Sequence, residues 1–399
     1  MTTAARSLDA AAPRRTGPLT AAACASMFLF GIAAALLGAT LPLLTERLQI
    51  GLGRVGTLFL VMNACMLASS FALGALHDRV STRPTLVVAP VVVAVALLLV
   101  ATAASYTALV ASVALLGLAG SALNVSGNAL VADLHQDPAA RGAALNRVGI
   151  FYGFGALFVP LAIGLLLRAV GLRPILFGAA ALCALIGAAN ALPAYPPPKQ
   201  KGKAPAADGW RFLQDPFVLL LGLLLFFESG NEFILGGYAT TFLTGTIGTS
   251  VTAASYALAG FWAALMLTRV WLGHGRSRPA PTRLVIASGF LSAAAAAALV
   301  TTSRPAVAQG AVVALGATLA GVFPSVLAAA SGRYPEHSGT VFGVLFTMAL
   351  CGGMSLPWVT GQAALAWGLR TALGLVSLQF LAVCLLQALA ARRPAAARS

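Results

Sequence analysis

Twelve long apolar runs, almost free of charge, constrain this chain more than any other feature. They lie at residues 18–44, 52–76, 84–104, 106–132, 143–168, 173–194, 216–243, 250–272, 282–303, 305–331, 338–365 and 367–391. Each is long enough for an α-helix to cross the hydrocarbon core of a bilayer, which takes about 20 residues. Only 9% of the 399 residues are charged and 59% are hydrophobic, against about 25% charged in a soluble domain. With a mean hydropathy of +0.90, the chain has too little polar surface to cover itself, so lipid is its solvent. A transmembrane barrel would also satisfy its backbone in lipid, but through segments of about ten alternating residues with a polar lumen face. The runs here are continuous and rich in Ala, Leu and Gly. They predict an all-α membrane protein of twelve transmembrane helices.

Basic residues set the expected orientation. With the N-terminus inside, seventeen of the twenty-five Lys and Arg residues fall on cytoplasmic segments and six on the opposite face, the asymmetry of the positive-inside rule. Both termini are therefore expected in the cytoplasm of a multi-pass protein, and the short loops point to a cell inner (plasma) membrane. The net charge of +15 follows from that topology and from contact with anionic lipid. No basic cluster interleaved with aromatics lies outside the runs, so nucleic acid is not an expected partner. Residues 193–216, PAYPPPKQKGKAPAADGWRFLQDP, hold all three lysines and a triple proline, the composition of an extended, solvated linker. The predicted organisation is a tail at 1–17, a six-helix half at 18–194, a cytoplasmic linker at 195–215, a second six-helix half at 216–391 and a tail at 392–399. Six and six about a central linker is the layout of transporters that work by alternating access around a midplane site, and a monomer is expected to suffice.

Several chemistries have no foothold. Cys24, Cys65, Cys183, Cys351 and Cys384 all fall inside apolar runs and read as small packing residues, with neither disulfide nor metal spacing. His77, His135, His274 and His337 lie in loops without ligand spacing. There is no nucleophile elbow and no phosphate loop. No enzyme activity, cofactor or metal is expected, which leaves an ion gradient or facilitated diffusion as the source of transport work.

The ten acidic residues are more informative. Eight lie in tails, loops or the ends of runs, and only Glu228 and Glu232 sit deep in one, near the middle of 216–243. Their four-residue spacing places them on one helix face about 6 Å apart. A charge at mid-bilayer costs roughly 3 kcal/mol or more, so it is expected to face a cavity or a partner. Two carboxylates this close do not both ionise easily, which makes the pair a candidate proton-coupling site. With Asn231 the same acids also offer oxygen ligands for sodium, a rival reading.

Residues 74–84, GALHDRVSTRP, resemble the loop signature of the major facilitator superfamily, Gly-x-x-x-Asp-Arg followed by further basic residues. The corresponding loop 273–278, GHGRSR, keeps glycine and arginine without the aspartate. The resemblance implies a cytoplasmic gate latch at Gly74, Asp78, Arg79 and Arg83, with Asp133 and Arg147 nearby. A narrower resemblance joins residues 120–132 (GSALNVSGNALVA), 145–149 (LNRVG), 226–238 (FFESGNEFILGGY) and 339–343 (GTVFG) to the fucose-galactose-glucose proton symporter branch. Glu232 matches the glutamate of that branch's seventh-span pattern and Asn128 its fourth-span asparagine. Carboxylates that fucose-type members carry in spans one and four are missing, and Asn124 stands where one of them would be.

A sugar needs groups that both donate and accept hydrogen bonds beside flat apolar surfaces. Candidate contacts are the amides Asn63, Asn124, Asn128, Asn146, Asn231, Gln309 and Gln362 and the aromatics Tyr152, Tyr238, Trp262 and Trp358. Only Arg147 and Arg269 approach the interior, both near cytoplasmic ends, which argues for a small neutral polar solute. The reading is a secondary active transporter importing a monosaccharide with a proton. Alternatives are a proton-coupled multidrug or metabolite exporter, a sodium-coupled sugar symporter, and a non-transporting membrane receptor or lipid-handling protein.

Overall fold

The computed structural model describes residues 16–77, 81–135, 138–196, 209–274, 280–334 and 337–393, and among these it has helices and no strands. The chain opens with α1 (Thr16–Leu48), α2 (Leu52–His77), α3 (Thr82–Thr102), α4 (Tyr106–Leu134), α5 (Pro138–Val170) and α6 (Leu172–Asn190). A short helix, α7 (Gly209–Leu213), follows at the end of the segment read as an extended linker. The remainder is α8 (Pro216–Gly245), α9 (Val251–His274), α10 (Pro281–Thr301), α11 (Pro305–Leu319), α12 (Val322–Arg333) and α13 (Ser338–Ala391). Among the described residues, eleven helical segments are long and apolar enough to cross a membrane.

Two departures from twelve simple spans have local causes. The tenth run is broken between α11 and α12, at Ala320 and Gly321. Pro324 has no N–H to return to the Ala320 carbonyl, so the ladder is interrupted there. The last two runs are joined in α13, whose 54 residues would extend about 81 Å if straight, far more than the ~30 Å of a bilayer core. The chain reverses inside it at Gly368, with φ 80° and ψ 155°. The same reversal occurs between α5 and α6 at Gly171, with φ 76°. Both glycines open a Gly-Leu-Arg sequence, 171–173 and 368–370. Only glycine takes this backbone region without strain.

Helix starts follow capping chemistry. Asp215 accepts from the N–H groups of Phe217 and Val218 at 2.8 and 3.3 Å with Pro216 at the first helical position of α8, and Pro281 and Pro305 open α10 and α11 in the same way. Ser105 caps α4 through the Ala108 N–H.

Lipid removes most of the hydrophobic drive between helices, so packing of small residues and side-chain hydrogen bonds hold the bundle. α1 is central: 83% of its most apolar window is buried, against 33% for α6. It lies against α4, α5 and α8. A Cβ on Gly155 of α5 would fall 1.8 Å from the Phe28 carbonyl oxygen, and one on Gly38 of α1 would fall 1.9 Å from that of Gly236 on α8. These backbones therefore touch, and only glycine permits it. Ser70 pairs with Ser121 at 2.6 Å between α2 and α4, and Ser292 donates to Thr318 at 2.7 Å between α10 and α11. Asn190 of α6 donates to the Leu86 carbonyl of α3 at 2.9 Å.

The short turns at 49–51, 103–105, 246–250, 302–304 and 368 gather at one end. There Arg47 donates to the carbonyls of Val100, Ala101 and Ala103 beyond the last turn of α3. Arg370 does the same for Val300 and Thr302 at the end of α10. A cation at a helix C-terminus meets unpaired carbonyls and the negative end of the dipole.

Candidate functional site

The close approach of α1 to α8 and α5 fixes what surrounds the seventh-run acids. α8 sits against α1 through Gly236 and Gly38, Thr240 donates to the Gly38 carbonyl at 2.6 Å, and a Cβ on Gly31 of α1 would meet the Tyr152 carbonyl oxygen at 2.1 Å. Tyr152 is thereby held beside α1, in ring contact with Phe30 at 5.2 Å and edge-to-face with Trp262 of α9 at 6.0 Å. Between them opens a cleft lined by Ala34, Phe59, Tyr152, Glu232, Phe233, Gly236, Gly237 and Trp262. Its free space is about that of one water molecule, so the walls are nearly in contact. Five helices, α1, α2, α5, α8 and α9, meet there.

The two acids occupy different surroundings. Glu232 lines the cleft, with its side chain 15% exposed and Oε2 lying 3.9 Å from Nη2 of Arg269 on α9. Glu228 is 1% exposed and outside the cleft lining. Its Oε2 accepts from its neighbour Ser229 at 3.1 Å, and Oε1 has no hydrogen-bond partner among the described residues. One turn further along α8, Asn231 is fully buried with neither amide atom partnered. A buried polar atom left without a partner costs about 1–3 kcal/mol, so this stretch of α8 holds polar groups that the resting fold does not need.

Arg269 was expected near a cytoplasmic end, and its Cα is five residues from the end of α9. Its side chain instead reaches back to Glu232, and Nε donates to the Ala320 carbonyl at 3.2 Å. That carbonyl is the one Pro324 leaves without a helical donor, so the break between α11 and α12 anchors the guanidinium. The sequence carried the signal as an arginine inside an apolar run, which by its cost calls for an acid within reach. Phe59, Ala34, Phe233, Gly236 and Gly237 also join the cleft without having been singled out as binding residues; their apolar character gave no signal.

Of the amide and aromatic candidates, Tyr152 and Trp262 line the cleft, and the indole Nε1 of Trp262 has no acceptor among the described residues. The amides elsewhere turn to local partners. Asn128 donates to the side-chain oxygen of Asn124 at 2.8 Å and to its carbonyl at 3.0 Å. Asn63 donates to the Phe59 carbonyl on its own helix at 3.0 Å. Tyr238 is fully buried and donates to the Pro357 carbonyl at 2.9 Å, while Gln362 reaches the Gly53 carbonyl at 3.4 Å. Trp358 packs over Gly56, and Gln309 is half-buried on α11. None of these seven lines the cleft in this conformation. Asn146 lies in α5, its side chain outside those described.

Among the gate candidates, Asp78 and Arg79 lie outside the described residues, and Gly74 falls in the last turn of α2, where side chains are not described. Arg83 is exposed and donates to the Ala191 carbonyl at 3.1 Å, tying the start of α3 to the end of α6. Asp133 is half-buried at the end of α4 and Arg147 is exposed on α5. Among the described residues no group of three or more His, Cys, Asp or Glu is placed to hold a metal ion.

The sequence model of the Major Facilitator Superfamily matches residues 23–357. No curated relative matches the sequence. Solved structures similar to this one include a bacterial homologue of the human lysosomal transporter Spinster in an inward-facing, unoccupied conformation, 15% identical over 96% of this chain and 98% of that one with a TM-score of 0.76. The same homologue in an inward-facing, occupied conformation gives 14% identity, coverage of 95% and 97% and a TM-score of 0.75. A variant of the nucleoside transporter NupG gives 13% identity, coverage of 93% and 99% and a TM-score of 0.77. At these identities the likeness is one of fold.

Proposed function

The chain belongs to the major facilitator superfamily, and on that footing we propose that this secondary transporter imports a small hydroxylated solute of monosaccharide size together with a proton, by alternating access. The observation that carries the reading is the Glu232–Arg269 pair, 3.9 Å apart, whose acid borders a cleft where α1, α2 and α5 meet α8 and α9. An acid that exchanges an arginine for a proton changes the charge of its surroundings at the point where two groups of helices touch, which is how proton binding can bias one conformation over another. Tyr152 and Trp262 supply the flat faces that a sugar ring stacks on.

The helices group as two halves, 18–194 and 216–391, joined by the linker at 195–215. The repeated Gly-Leu-Arg reversal at 171–173 and 368–370 supports that division. The positive-inside count supports cytoplasmic termini in an inner membrane. The gate residues at 74–83 are read as a latch that the halves close upon.

The test is uptake by proteoliposomes under an imposed pH gradient, with a panel of labelled monosaccharides and their acids. Glu232→Gln is expected to lower accumulation more than tenfold while exchange of solute persists. Accumulation by that variant at the wild-type level would overturn proton coupling through this acid. A second reading draws on Glu228 and Asn231, whose side-chain oxygens include two that no donor satisfies: sodium in place of the proton. Uptake driven by a sodium gradient at constant pH would favour it.

A further inference from the structure

We propose that Arg269 is the anion-recognising residue of this site, and that the solute carries a carboxylate, a small sugar acid in chemical class. The proposal rests on the reading that the cleft at Glu232 is where solute binds. A neutral solute was expected because only Arg147 and Arg269 approach the interior, both near cytoplasmic ends; the ion pair of Arg269 with Glu232 removes that ground.

Three features point the same way. A guanidinium has five N–H donors in a rigid fork. Arg269 commits Nε to the Ala320 carbonyl and leaves its terminal nitrogens beside Glu232, at a distance longer than a direct hydrogen bond. The side chain as a whole is 26% exposed. Next, the wall residue Trp262 carries a donor with no acceptor, and indole N–H can only donate. Of the residues that line the cleft, Trp262 is the one with a buried polar atom unmatched among the described residues, and it asks for an acceptor; a carboxylate offers two oxygens in the geometry that an arginine fork binds bidentately. Finally, an anion closes the charge account. The ionisable groups facing Glu232 are Glu228 on its own helix, Arg269 on α9 and Tyr152 on α5. The helices α1, α11 and α13 bring no Asp, Glu, Lys, Arg or His between residues 16 and 45, 305 and 319, or 340 and 369. When Glu232 takes a proton, Arg269 loses its counter-charge where an unpaired charge is expensive, and a solute carboxylate restores it. One proton and one monoanion then enter as a pair, and the net charge of the loaded site equals that of the empty one.

The experiment uses the purified full-length protein in detergent and reads thermal stabilisation by gluconate, glucuronate and galacturonate against glucose and galactose, at pH 6 and pH 8. A ligand bound to the folded state raises its apparent stability. The acids are expected to raise the midpoint by several degrees at millimolar concentration and the neutral sugars to leave it unchanged. Arg269→Gln is expected to abolish the shift, and Glu232→Gln to preserve it at pH 8, where the wild type responds less. Neutral sugars as effective as the acids, an undiminished response in Arg269→Gln, or no response to any acid in both wild type and Glu232→Gln would each overturn the proposal. If Arg269→Gln does not give folded, monodisperse protein, Arg269→Lys decides: an apparent Kd for the acids raised at least tenfold supports the proposal, and an unchanged one overturns it. Binding is read here without a gradient. Acid-selective binding alongside accumulation that ignores the pH gradient would therefore remove the coupling mechanism and leave this inference standing.

Discussion

Glu228 and Glu232 are one helical turn apart, yet one is sealed in packing and the other borders the cleft beside an arginine. Substituting each by glutamine therefore has different expected effects. Glu228→Gln removes a carboxylate whose only described hydrogen bond comes from Ser229; its thermal midpoint is expected within a few degrees of wild type and its uptake within tenfold, as read by unfolding and proteoliposome assays. A loss of uptake as deep as that of Glu232→Gln would make Glu228 part of the coupling site. Outside the membrane-spanning helices, Tyr334 donates to Asp215, the cap of α8. Burial first, and the Asp215 hydrogen bond second, hold the Tyr334 phenol above its ordinary value of 10.0. A raised phenol favours the protonated, donating form in the folded state, so its contribution is complete below about pH 10 and fades as pH rises through the folded value. Ultraviolet titration of wild type against Tyr334→Phe is the check, and that variant is expected to lose about 1 kcal/mol of stability. The acids were legible in the sequence because charge in lipid is costly and so conspicuous. The amides were not, since Asn128 and Asn63 donate within their own helices and nothing in a sequence distinguishes that from a binding pocket. The partner of Arg269 was not legible, because the side chain is long enough to serve a group well beyond its own backbone.

The broken element at residues 320 and 321 links helix chemistry to the site. Proline at 324 withholds an N–H, the Ala320 carbonyl is left open, and Arg269 fills it. Pro324→Ala would return the N–H and make the tenth span continuous. It is expected to raise thermal stability or leave it unchanged while lowering transport severalfold, because Arg269 loses the acceptor that fixes it. A variant with full transport would show that the anchor is dispensable. Proline and glycine at 321–324 were visible in the sequence, but hydropathy registers only that the run is apolar. The same blindness separated 338–365 from 367–391 without showing that α13 passes through Gly368 by a single-residue reversal. The recurrence of Gly-Leu-Arg at 171 and 368 was there to be read. Its meaning needed the backbone angles.

At the scale of the molecule, α2 packs on α13, α5 on α9 and α1 on α8, and these contacts join the first six helices to the rest. At the end of the bundle where the short turns gather, a Cβ on Gly56 would lie 3.1 Å from the Cα of Trp358. Cysteines placed on the facing turns of α2 and α13 at a pair whose Cβ atoms meet the spacing a disulfide needs, in a chain freed of its own five, are expected to cross-link on mild oxidation. The cross-link should hold that end shut and stop transport until a reductant is added; transport unaffected by the bond would mean that α2 and α13 need not part. Twelve apolar runs and an all-helical membrane fold were readable from composition alone, because lipid admits so few architectures. Which helices touch was not, since Ala-rich and Gly-rich faces look alike until backbones are brought together.

Gly171 and Gly368 turn the chain around in the space of one residue. The paired helices at each of these places leave no slack strand between them for a protease to draw into its groove. They also leave no stretch that can lengthen when one group of helices swings against the other. Each hairpin must then travel as a unit, and an added protease should spare these two corners.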